Sequence, residues 1–158
     1  ELGGGALLDV GIYPVSFASM VLGTPQAIDS EAVMGSTGVD EEAVLWLSYP
    51  GEVQAELACS VRKKLGNSAR IYGSEGYLEV TANLWHSQKL ILMANDQEQH
   101  LAVPFEGHGD QFQAIEVQRC LAQGLTESPI MPLAESLSIL QTLDAIRAQW
   151  ELRYPGEA

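Results

Sequence analysis

Ala43-Val44-Leu45-Trp46-Leu47-Ser48-Tyr49, then Pro50-Gly51, then a run from Val53 to Val61, read as two strands folded back about a turn. Pro50-Gly51 is a turn pair, and the flanking runs alternate with the two-residue period of a half-buried strand. In the second run Val53, Ala55, Leu57, Cys59 and Val61 share one face, while Gln54, Glu56, Ala58 and Ser60 share the other. In the first run Leu45 and Leu47 oppose Val44, Trp46 and Ser48. If Leu45 and Leu47 face a core, Trp46 stands among small and polar residues on the uncovered side. There it is either one exposed ring or the anchor of an interface, where aromatic residues are enriched.

Working outward, Ala27 to Met34 supplies a strand before this hairpin. Two more hairpins follow it. Ala69 to Tyr72 and Tyr77 to Val80 flank Gly73-Ser74-Glu75-Gly76, and Lys89 to Met93 meets His100 to Val103 through Asn95-Asp96. Helices close both ends of the chain. Leu8, Ile12, Val15, Ala18, Ser19 and Leu22 recur at helical spacing up to Gly23. Pro14 falls inside this segment and removes one helical hydrogen bond, so either a kink at Pro14 or a helix beginning near it is expected. Phe112, Ile115, Glu116, Arg119 and Cys120 mark a second helix. A third runs from about Pro132 to Leu152, with Leu133, Leu137, Leu140, Leu143, Ile146 and Trp150 as its expected inner stripe and Glu135 complementing its dipole. The expected class is α+β, a large mostly antiparallel sheet with helices covering one face.

Composition narrows the function. A chain of 158 residues fits one domain, and 46% hydrophobic with 18% charged residues is an ordinary globular balance. A net charge of −13 repels phosphate backbones, so neither nucleic acid nor an anionic membrane surface is an expected partner. No apolar run approaches the ~20 residues that span a bilayer. Cys59 and Cys120 read as buried free thiols, which suits a reducing cytoplasm.

Self-contained chemistry is scarce. No G-x-G-x-x-G or G-K-[ST] loop is present, and the run Gly3-Gly4-Gly5 precedes no Lys. No cofactor-binding residue is therefore expected in this chain. His86, His100 and His108 lie on separate elements without metal-ligand spacing, so no metal is expected. Ser16 and Ser19 have no neighbouring His to activate them. One pair stands apart. Asp9 and Tyr13 are four residues apart and share a helix face, where an acid and a phenol can move a proton to or from an alcohol oxygen. The structural alternative is an Asp9 helix cap with Tyr13 as a packing residue.

The run from Gly3 to Pro14, GGGALLDVGIYP, resembles the motif opening the C-terminal domain of the glucose–fructose oxidoreductase/inositol dehydrogenase family. Tyr72-Gly73-Ser74-Glu75-Gly76-Tyr77-Leu78-Glu79 and the tail from Ser128 to Leu137 carry the same resemblance. Asp144 to Trp150 followed by Tyr154-Pro155 is similar to the dimeric dihydrodiol dehydrogenase and glucose–fructose oxidoreductase branch. The resemblance implies that residues 1–158 form a single C-terminal substrate and oligomerisation domain. The N-terminal domain binding NAD or NADP would lie outside this chain. It further implies that Asp9 lines a small-molecule substrate site and Tyr13 takes the catalytic acid–base position, where many relatives carry His. A free phenol titrates near ~10 and an imidazole near ~6.5, so a Tyr there needs a cation beside it. The family's Glu-Lys-Pro lysine would supply that charge, and no such tripeptide occurs here. The implied activity is hydride transfer to or from a hydroxyl carbon of a sugar, polyol or dihydrodiol, the fragment alone being inactive. A homodimer through the sheet face bearing Trp46 is implied as well. The alternative is a stand-alone, non-catalytic binding or dimerisation module of the same fold.

Overall fold

The computed structural model describes residues 4–81 and 83–154. Gly3 of the glycine run and Pro155 of the Tyr154-Pro155 ending lie outside the described residues. The chain divides into two compact units, one formed by residues up to Leu65 and again from Met131, the other by Gly66–Ile130.

In the first unit, strands Ala27–Met34 (β1), Asp40–Ser48 (β2) and Gln54–Ser60 (β3) form an antiparallel sheet in that order. The hairpin is the expected one. Pro50–Glu52 makes a single tight turn, in which Gly51 and Glu52 both adopt positive φ, 75° and 62°. Alternation sets the faces as expected: Ala43, Leu45, Leu47 and Cys59 are buried. Val53 and Val61, at the two ends of the run, are exposed instead. Two helices cover the buried face, Ile12–Leu22 (α1) and Leu133–Gln149, here called α3 because a further helix lies between them in the chain. Leu45, Leu47, Leu143, Ile146 and Val15 are fully buried at the centre of this layer. Each such side chain contributes about 1.5–3 kcal/mol of burial. Polar contacts fix the layer's edges. Gln149 Nε2 donates to the Ile28 carbonyl at 2.7 Å, and Ser19 Oγ donates to Glu135 in the first turn of α3.

The inner stripe of α3 differs from the expected one. Leu133, Leu137 and Leu140 are exposed, and Ile139, Thr142, Leu143 and Ile146 are buried. Leucines occupy both faces of this helix, so spacing alone admits two stripes; the packed one includes the only Thr.

The second unit contains strands Ala69–Gly73 (β4), Gly76–Val80 (β5), Lys89–Ala94 (β6) and Gln97–Ala102 (β7), an antiparallel meander in that order. Asn95 and Asp96 both adopt positive φ, 51° and 58°, as a two-residue hairpin turn of matching twist requires. Helix α2, Asp110–Ala122, follows, and Gly124 beyond it sits at φ 68°. The expected strands are all present, hydrogen-bonded as a three-stranded and a four-stranded sheet. Among the described residues no helix is long and apolar enough to cross a membrane.

Candidate active site

The first helical segment carries the Asp9–Tyr13 pair. Its chain turns helical at Ala6, widens into a π-turn over Leu7–Gly11, and continues as α1 from Ile12. Pro14 explains the widening: it has no N–H to give to Val10, and its ring crowds that carbonyl. A wider turn just ahead of the ring relieves both. The α-helix proper thus begins two residues before Pro14, preceded by a helical turn of different pitch.

Asp9 lies in the π-turn and is exposed, and its backbone N–H donates to the Gly5 carbonyl at 3.1 Å. Among the described residues, no side chain of this segment caps its own start. Tyr13 is 48% exposed and is not among the core residues. Both members of the pair therefore face outward along one helical segment, and neither takes the cap or core role that was the structural alternative.

The cap is supplied by a residue that no sequence pattern singles out. Asp40, the first residue of β2, is 0% exposed, and its Oδ2 accepts the Leu7 N–H at 2.6 Å. Leu7 N–H is one of the donors a helix start leaves without an internal partner. Asp40-Glu41-Glu42 precedes the strand expected from Ala43, with nothing in the three acids to set the first apart. In the structure Glu41 pairs with Arg62 at 2.6 Å and Glu42 with Lys63 at 2.7 Å, both at the surface, while Asp40 points inward. Gly5 makes this approach feasible. It sits at φ 131°, and a Cβ there would come within 2.1 Å of Asp40 Oδ1.

The same geometry tests whether the glycine run fits a nucleotide. A phosphate cradle needs backbone N–H groups and positive charge around an open concavity. Here a buried carboxylate occupies the space against Gly5. These residues do not fit a pyrophosphate.

Other titratable groups are structural. Burial pushes the Cys59 thiol up to about 11, and the nearby Asp40 charge adds to the rise. Burial also raises Cys120, helped by its hydrogen bond to Glu116. Glu116 is held down at about 2 by hydrogen bonds from Arg119 and Ser128. Ser19 is engaged with Glu135. Of the histidines, His100 contacts Glu98 at 2.8 Å, and His86 ends the short turn Leu84–His86. Among the described residues no cluster of His, Cys, Asp or Glu has the makings of a metal site.

On the outer face of β1–β3, Trp46 is 38% exposed, in register with Asp29 on one side and Glu56 on the other. These three border an open depression of about 390 Å³.

Trans-1,2-dihydrobenzene-1,2-diol dehydrogenase of Xenopus tropicalis is 36% identical over 165 residues, covering 98% of this chain and 49% of that protein. The Homo sapiens enzyme of the same name is 36% identical over 162 residues, covering 98% and 48%. The chain thus spans about half the length of the curated relatives it matches. Among solved structures, an aldose-aldose oxidoreductase from Caulobacter crescentus complexed with glycerol superposes with a TM-score of 0.80 at 23% identity, covering 95% of this chain and 47% of that one. A 3-ketoreductase from Actinomadura kijaniata in complex with TDP-benzene and NADP gives 0.75 at 23% identity, covering 92% and 47%. These two show a shared fold. Residues 1–79 match the family model described as the GFO/IDH/MocA C-terminal domain, and this chain belongs to that family.

Proposed function

We propose that this chain is the substrate-side part of an NAD(P)-dependent oxidoreductase acting at a hydroxyl carbon of a dihydrodiol, polyol or sugar. The observation that carries the reading is the outward-facing Asp9–Tyr13 pair on one helical segment, in a chain 36% identical along nearly its whole length to dihydrodiol dehydrogenases. NAD or NADP, bound by a domain outside this chain, supplies the oxidising or reducing equivalent. This chain supplies the proton. The Tyr13 hydroxyl gives it to, or takes it from, the substrate oxygen, and Asp9 one turn away orients that oxygen. Tyr13→Phe in the full-length protein, assayed with NAD and NADP on a trans-dihydrodiol, a polyol and an aldose, should lower turnover ~10²–10⁴-fold. Near-native turnover with chemistry rate-limiting would return Tyr13 to a packing role.

The open sheet face supports a two-fold homodimer as part of the same reading. Trp46 projects from a surface that the covering helices leave free, and a self-complementary patch closes as a pair. Sedimentation at micromolar concentration should show a dimer that Trp46→Glu weakens. A monomer with native Trp46 would remove the proposal. The cytoplasm is the compartment this reading implies.

A further inference from the structure

We propose that Asp40 is a positioning residue for Asp9 and Tyr13, setting the rotation of their helix about its own axis. The inference rests on the acid–base reading of Tyr13. It starts from an anomaly: a carboxylate at 0% exposure with no cationic partner among the described residues. Such a group is costly to bury, and an apolar side chain of similar volume usually serves stability as well or better. Asp40 is also only half used. Oδ2 accepts the Leu7 N–H at 2.6 Å, whereas Oδ1 has no hydrogen-bond partner among the described residues. Stability alone does not account for it.

Geometry does. The π-turn is pinned to the sheet at its two ends. At Leu7, which is fully buried, the charge-assisted bond to Asp40 fixes the backbone against the start of β2. At Gly11, which is buried, a Cβ would meet Cys59 Sγ on β3 at 3.0 Å, a tight contact that the bare backbone avoids. Asp9 lies midway between these points, and Tyr13 follows two residues after the second. A π-turn is a less determined conformation than an α-turn, since its pitch differs from the helix it joins. Without the hydrogen bond at Leu7, the direction of both side chains is left to the close approach at Gly11 and to apolar packing, which fixes depth better than rotation. Gly5 belongs to the same device, because any side chain there displaces Oδ1.

The test compares Asp40→Ala, Asp40→Asn, Gly5→Ala and a core control, Leu47→Ala, in the full-length protein. Leu47 is buried farther along β2, seven residues beyond Asp40. Asp40→Ala removes the acceptor, and Gly5→Ala pushes it aside from the opposite direction. Both should lower kcat by roughly 10²-fold with little change in KM, the scale of an ångström-sized misplacement. Asp40→Asn keeps a carbonyl acceptor for Leu7 and should recover most of the loss. Leu47→Ala should lower stability without that kinetic signature. Hydrogen exchange over residues 7–13 should quicken in the first and third variants. Should Asp40→Ala fail to fold, Gly5→Ala and Asp40→Asn carry the comparison. Faster exchange in Gly5→Ala with native kcat, while Tyr13→Phe is impaired, overturns the positioning role and leaves Asp40 a cap. Native turnover in Tyr13→Phe overturns the acid–base reading itself, and the positioning role with it.

Discussion

Gly76→Ala should break the second unit locally, and its neighbour across the same turn should not. Gly76 opens β5 at φ 151°, and a Cβ there would sit 1.7 Å from the Met93 carbonyl oxygen and 3.1 Å from Ala94 Cα. No rotamer relieves this clash, because both atoms are backbone. An alanine must hold that glycine dihedral, at about 1–3 kcal/mol, and also part β5 from β6 at the Gly76–Ala94 rung, forfeiting about 1 kcal/mol per hydrogen bond. Together these give about 2–4 kcal/mol. Gly73, paired with Gly76 across the hairpin, has ordinary φ, and a Cβ there would meet only the Gly76 carbonyl oxygen at 3.9 Å. Gly73→Ala should therefore cost under about 1 kcal/mol. Hydrogen exchange read by mass spectrometry separates the two. Peptides from β4 to β7 should exchange roughly 30-fold faster or more in Gly76→Ala, with β1 to β3 unchanged. Equal protection in the two variants would refute the steric reasoning.

Two further outcomes follow from the packing and the charges. Leu143, 1% exposed, should cost about 2–5 kcal/mol on truncation to Ala, against under about 1 kcal/mol for Leu137 at 57%, as chemical denaturation will show. Reversal of that order would restore the stripe first expected for α3. Glu116, held at about 2, should remain ionised at a pH where a free glutamate, near ~4.3, is mostly protonated. A depressed carboxylate stabilises the folded state fully above the unfolded value. That contribution fades as pH falls from there through about 2. Carbon NMR titration of Glu116 should show the low midpoint, and Arg119→Gln should lift it, hydrogen bonds from Arg119 being the largest cause. A midpoint unmoved by Arg119→Gln would sink this account.

Strands were the most legible part of this chain. Ala27–Met34 coincides with β1, and the pairs Pro50-Gly51 and Asn95-Asp96 mark turns where the backbone adopts the left-handed region. The reason is local: alternation and turn chemistry are written within a few residues. The face of α3 was less legible. Burial there depends on which side meets the sheet, and Leu133, Leu137 and Leu140 are as apolar as the residues that do. Asp9 and Tyr13 were legible as a pair by spacing, and their outward direction required the fold. Asp40 was not legible at all. Its partner lies 33 residues away, and the two acids that follow it mask its burial.

The order of the chain through the two units has a consequence for synthesis. The first unit is left at Leu65 and completed only from Met131, and α3 reaches back to β1 across more than a hundred residues, as in the Gln149 bond to Ile28. At about 5–20 residues per second, the ribosome takes roughly 3–13 s to cross the intervening stretch. For that interval the nascent sheet has α1 for cover but no α3, and part of the surface around Leu45 and Leu47 stays open to water. The second unit, contiguous in sequence, has every strand partner in hand before α3 emerges. The unit begun first is therefore finished last, and its apolar face is open to other binders before the chain itself has closed it.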